Sequence, residues 1–65
     1  MITVNGKPIQ CTTPITLTEL IQNQGLNPER IALELNGEII KRSEFDTTFA
    51  SDGDKVEMVH FVGGG

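Results

Sequence analysis

The run Lys55-Val56-Glu57-Met58-Val59-His60-Phe61-Val62 alternates its side chains as a β-strand does, and then stops at Gly63-Gly64-Gly65. Val56, Met58, His60 and Val62 fall on one face, and Glu57, Val59 and Phe61 on the other. Apolar groups on both faces mark a strand of the buried type. The glycines that follow are of a different kind. Glycine gives up more conformational freedom on folding than any other residue, and three in succession at a terminus cannot pack. Residues 63–65 are expected to form a mobile, thin, unbranched tail with a free α-carboxylate on Gly65. Such a tail enters a slot too narrow for any Cβ. The plain alternative is a frayed end, but frayed ends are commonly polar and charged, not pure glycine.

Upstream of this run, Asp52-Gly53-Asp54 reads as a turn. Residues 42–51 look irregular, with one short helical turn after Ser43, and Phe45 and Phe49 are expected to plug the bottom of the core. The segment before it has two readings. Asn27-Pro28-Glu29-Arg30 is a fair helix start, and Ala32-Leu33-Glu34-Leu35 has helical propensity. The same residues make a strand, 31–35, with Ile31, Leu33 and Leu35 on one face. Asn36-Gly37 favours the strand, because this pair is a strong hairpin signal and is followed by the apolar pair Ile39-Ile40.

At the other end, Ile2 and Val4 alternate with Thr3, Asn5-Gly6 gives a second hairpin signal, and Lys7 to Thr12 resumes the alternation with Ile9 and Cys11. Pro8 lacks an N–H for a ladder, so this second strand is expected at a sheet edge. A helix follows. Thr16 is its cap and Glu19 completes a capping box; Ile15 and Leu20 occupy the two positions of a hydrophobic staple. Leu17, Leu20, Ile21 and Gln24 share a stripe. Gly25 stands where a left-handed cap belongs, and Pro28 keeps the helix from resuming.

The order is β-β-α-β-β, a loop, then β. It predicts an α+β fold of the β-grasp, or ubiquitin-like, kind: a mixed sheet of about five strands with one amphipathic helix across one face. In that arrangement the first and last strands are parallel, paired and central. The single domain is expected to span residues 1–62, with residues 63–65 as its tail.

Sixty-five residues form one domain. A chain this short buries only about 60% of its unfolded surface, which leaves little room for a substrate-enclosing pocket. The formal charge is −4 and Lys and Arg are not clustered. Nucleic acid is therefore a poor partner, and a protein with a basic face a better one. No apolar run is long enough for a membrane span or a signal-peptide core. One cysteine makes no internal disulfide, which points to the cytoplasm. Cys11 reads as a small core hydrophobe and His60 as a surface or rim residue. The scattered acidic residues read as solvated surface. No metal-ligand set or nucleophile–base pair is present, so no catalytic residue is assigned. Val59, Phe61 and Val62, beside the tail, are candidates for an apolar docking patch; the alternative is that Phe61 tucks under a loop.

Taken with the Asn36-Gly37 hairpin and the Asp52-Gly53-Asp54 turn, the ending Val59-His60-Phe61-Val62-Gly63-Gly64-Gly65 resembles the ThiS family of sulfur carriers of thiamine thiazole synthesis, along the whole chain. The family usually ends in Gly-Gly; here Gly63 precedes that pair. The resemblance implies a protein co-substrate and not an enzyme, with no cofactor of its own. An E1-like adenylyltransferase of the ThiF type would use ATP to adenylate Gly65. An ordinary α-carboxyl titrates near pH 3.5, so this group is anionic at neutral pH. A persulfide from a cysteine desulfurase or another donor would displace AMP and leave a thiocarboxylate. That group would pass its sulfur to a thiazole synthase of the ThiG type. Two alternatives stay open: a molybdopterin-type sulfur carrier, and an interaction module with an inert tail.

Overall fold

The computed structural model describes residues 1–61. Val62 and the glycines 63–65, on which the tail expectation falls, lie outside the described residues. Strands β1 (Ile2–Val4) and β2 (Lys7–Ile9) form the first hairpin. Asn5 and Gly6 turn it with φ of 50° and 83°, the left-handed pair that such a two-residue loop requires. Strand β4 (Ile31–Leu35) and β5 (Glu38–Ile40) form the second hairpin around Asn36 and Gly37. Strand β7 (Lys55–His60) lies between the hairpins. The sheet order is β2-β1-β7-β4-β5. β7 runs parallel to β1 and antiparallel to β4. The first and last strands are thus paired and internal, and β2, with Pro8, is at the edge. The chain is a five-stranded mixed sheet of the β-grasp kind.

Helix α1 (Leu17–Asn23) starts as the sequence predicts. The Thr16 hydroxyl accepts a hydrogen bond from the Glu19 N–H at 3.1 Å and donates one to the Glu19 carboxylate at 3.2 Å. The two remaining free N–H groups of the first turn find carbonyls in the loop below: Leu17 donates to Thr48 and Thr18 to Phe45. The end is a complete Schellman motif. Gly25 has φ of 78° and donates to Gln22, and Leu26 donates to Ile21. Gln24, expected on the apolar stripe, is the exposed C-cap residue instead.

The core lies between α1 and one face of the sheet. Leu17, Leu20 and Ile21 from the helix meet Ile2, Val4, Ile31, Leu33, Val56 and Met58 from the strands. Ile15 and Leu20, the staple pair, are both buried. Each fully buried aliphatic side chain contributes about 1.5–3 kcal/mol. Cys11 lies beyond the end of β2, half-buried against this core.

Residues 27–31 combine the two readings of that segment. Asn27 caps a single 3-10 turn, Pro28–Arg30, by accepting from the Glu29 N–H at 2.9 Å, and β4 follows at once. A second 3-10 turn, Arg42–Glu44, leads into the irregular segment. Phe45 is buried there and plugs the core. Phe49 does not: it is 53% exposed. The reason is a small second sheet that the sequence did not reveal. Strand β3 (Ile15–Thr16) pairs with β6 (Phe49–Ala50), Ile15 opposite Ala50 and Thr16 opposite Phe49. Ala50 faces the core in this ladder, so alternation turns Phe49 outward.

Candidate functional site

The site is built around β7, because every residue that the sequence singles out near the tail lies on it or just past it. The strand alternates as expected. Val56 and Met58 are buried, and Glu57 and Val59 are exposed. The ladder ends at His60, two residues before the expected end. Phe61 leaves the strand but still donates its N–H to Arg30 at 3.0 Å. His60 is exposed, in line with a surface or rim position.

The face of the sheet away from α1 carries apolar side chains. Val59 is 64% exposed and lies opposite Ala32, itself exposed. Ile39, opposite Glu34, is 76% exposed. Glu34 in turn pairs with Glu57. The outward surface therefore combines branched aliphatic side chains with two carboxylates. Phe61 sits at its margin, 39% exposed, with the Arg42 guanidinium carbon 5.8 Å from its ring centroid. That distance is within reach of a cation–π contact. Phe61 is thus neither tucked under a loop nor fully open. Val62 and Gly63, Gly64 and Gly65 lie outside the described residues. Ile39 was not singled out in the sequence. The signal was there, since its middle position in a three-residue strand puts it on the face opposite Ile40.

β7 is also held by two asparagine side chains, which sequence reasoning saw only as turn formers. At the start of the strand, Asn36 accepts from the Lys55 N–H at 2.9 Å through Oδ1, donates its own N–H to the Lys55 carbonyl at 2.7 Å, and reaches Asp54 through Nδ2. Further along, Asn5 accepts from the Met58 N–H at 2.7 Å and donates through Nδ2 to the Met58 carbonyl at 3.1 Å. The Met1 ammonium pairs with Asp52, and the Met1 carbonyl accepts from Gly53, so the Asp52-Gly53-Asp54 turn is fixed from the same side.

Among the described residues no three His, Cys, Asp or Glu side chains converge as a metal site. Among the same residues no helix is long and apolar enough to cross a membrane. The arrangement offers a presenting strand with an outward apolar surface.

A mixed sheet with parallel terminal strands and one helix on a single face defines a ubiquitin-like β-grasp protein. The sequence profile of the ThiS family matches residues 2–65, and the chain belongs to that family. It is 42% identical to the crystal structure of the thiamine biosynthesis protein ThiS from Geobacter metallireducens, with a TM-score of 0.83 over 98% of this chain and 97% of that one. It is 33% identical to the sulfur carrier protein ThiS of Bacillus subtilis, each chain covered in full. It is also 34% identical, over 98% of its length, to a stretch making up 20% of a thiazole synthase of Magnetococcus marinus.

Proposed function

We propose that this chain is a sulfur carrier of thiamine biosynthesis, a protein co-substrate and not a catalyst, and that Gly65 is the residue converted. Membership of the ThiS family carries this reading. The likeness to the Bacillus carrier over both full lengths supports it. The Gly65 carboxylate would attack the α-phosphate of ATP on an E1-like enzyme of the ThiF type, releasing pyrophosphate. The terminal sulfur of a persulfide, formed by a cysteine desulfurase or another donor, would then displace AMP. A second thiol would cleave the resulting sulfur–sulfur bond and free the thiocarboxylate. Three glycines extend at most about 10 Å, enough to reach from a docked body into a cleft.

Thiazole synthase is the proposed recipient. The supporting fact is that a thiazole synthase contains, in its own polypeptide, a stretch similar to this whole chain. Val59 and Phe61, with Val62, are the proposed docking residues. Their support is the outward exposure of Val59 on β7 and the partial exposure of Phe61 just past its end.

Intact-mass measurement tests the reading. After incubation with the activating enzyme, ATP and a sulfur donor, the chain should gain the mass of one sulfur-for-oxygen exchange, localised to Gly65 by fragmentation. An unchanged mass with partners shown to be active on another carrier would overturn it.

A further inference from the structure

The two flanks of β7 are supported unequally. On the β4 side, backbone pairing runs from Val56 to His60, and the Phe61 N–H extends it to Arg30. On the β1 side the register stops at Val56, where the Asn5 N–H donates to the Val56 carbonyl at 2.9 Å. β1 cannot go further because its chain turns at Asn5-Gly6. The next rung on that flank belongs to Met58, and the side-chain amide of Asn5 supplies it. One oxygen accepts from the Met58 N–H and one N–H donates to the Met58 carbonyl. The amide stands in for the peptide group of a strand that is no longer there.

We propose that Asn5 is a positioning residue for the reaction at Gly65, acting through β7; this rests on the carrier reading above. The chemistry asks two things of position 5. The backbone must take a φ of 50°, which Asn tolerates better than most residues. The side chain must offer one acceptor and one donor at peptide spacing. Aspartate has the shape but no donor, and glycine has the backbone but no amide. With the rung in place, β7 is bound on both flanks as far as Met58. Without it, the strand past Val56 hangs from β4 alone. Val59 and Phe61 would still present their side chains, but the direction in which the strand leaves the sheet would spread. Reaction of a positioned group depends steeply on such alignment. Loss of Asn5 should therefore lower the rate of the bound carrier and leave docking nearly unchanged.

The experiment compares Asn5→Gly, Asn5→Asp and Thr16→Ala with the unaltered chain. Thr16→Ala removes the cap of α1, whose side-chain bonds go to Glu19 and not to β7, and serves as a control for lost stability. Amide hydrogen exchange of Met58 and steady-state kinetics of adenylation are measured well below the melting temperature. Asn5→Gly is expected to speed Met58 exchange and to lower kcat, each about tenfold, with KM within about twofold. Asn5→Asp should recover part of the Met58 protection through its remaining acceptor. Thr16→Ala should keep kcat. The inference is overturned if Met58 exchange or kcat is unchanged in Asn5→Gly, or if Thr16→Ala loses kcat to the same degree. If the unaltered chain is not adenylated at all, the carrier reading falls and takes this role with it; altered Met58 exchange in that case marks Asn5 as a stabilising residue alone.

Discussion

Thr16 closes the start of α1 with one hydroxyl that both accepts from and donates to Glu19. Its replacement by alanine leaves the Glu19 N–H to solvent and should cost about 1 kcal/mol. For a domain of this size that lowers the melting temperature by roughly 4–8 °C, which thermal denaturation followed by circular dichroism can read. Gly37 gives a second test. Its φ of 86° lies where a side chain is strained, although the space around it is open. Gly37→Ala should therefore destabilise by about 1–2 kcal/mol through the backbone alone, measured as a lower urea midpoint with an unchanged slope. Both features were legible in the residues, because caps and tight turns depend on neighbours a few positions away. The clamps of Asn5 on Met58 and of Asn36 on Lys55 were not. They join residues that meet only after the sheet has assembled, and no local pattern records them.

At the scale of elements, the two phenylalanines of the irregular segment separate what periodicity reveals from what pairing decides. Both were expected in the core. Phe45 is there, beneath the start of α1, whose Thr18 N–H binds its carbonyl. Phe49 is turned out by the register of β6 on β3. A two-residue ladder carries too few positions for alternation to be read, so the small sheet and the orientation of Phe49 stayed hidden. Phe45→Ala should cost about 3–5 kcal/mol, and Phe49→Ala no more than about 1 kcal/mol from its cross-strand contact. Chemical denaturation of the two variants side by side checks the contrast. The segment 28–35 was ambiguous for a related reason: its first residues do form a helical turn, and its remainder does form a strand.

For the molecule as a whole, the fold was legible because two Asn-Gly turns and one fully capped helix divide the chain into units with a single sensible packing. The outward apolar surface was only partly so. Val59 and Phe61 were expected near the tail, whereas Ile39 joins the same outward face from the far hairpin. Val59→Asp places a charge on an exposed position and should leave the fold intact. It should raise KM for the activating enzyme about tenfold, the equivalent of about 1.4 kcal/mol of lost docking; a KM unchanged within error would remove Val59 from the interface. Deletion of Gly64 and Gly65 should abolish sulfur loading while the truncated chain still competes for the same enzyme. Retained loading would exclude Gly65 as the acceptor.

The parallel contact of β1 with β7 has a mechanical meaning as well. Thr3 to Asp54, Asn5 to Val56 and the two bonds of Asn5 to Met58 lie side by side along two strands that run in the same direction. A pull exerted between opposite ends of the polypeptide loads these bonds in shear, and they must rupture together instead of unzipping one at a time. Bonds arranged this way share such a load, so tension between the two ends meets the sheet at its most resistant pairing.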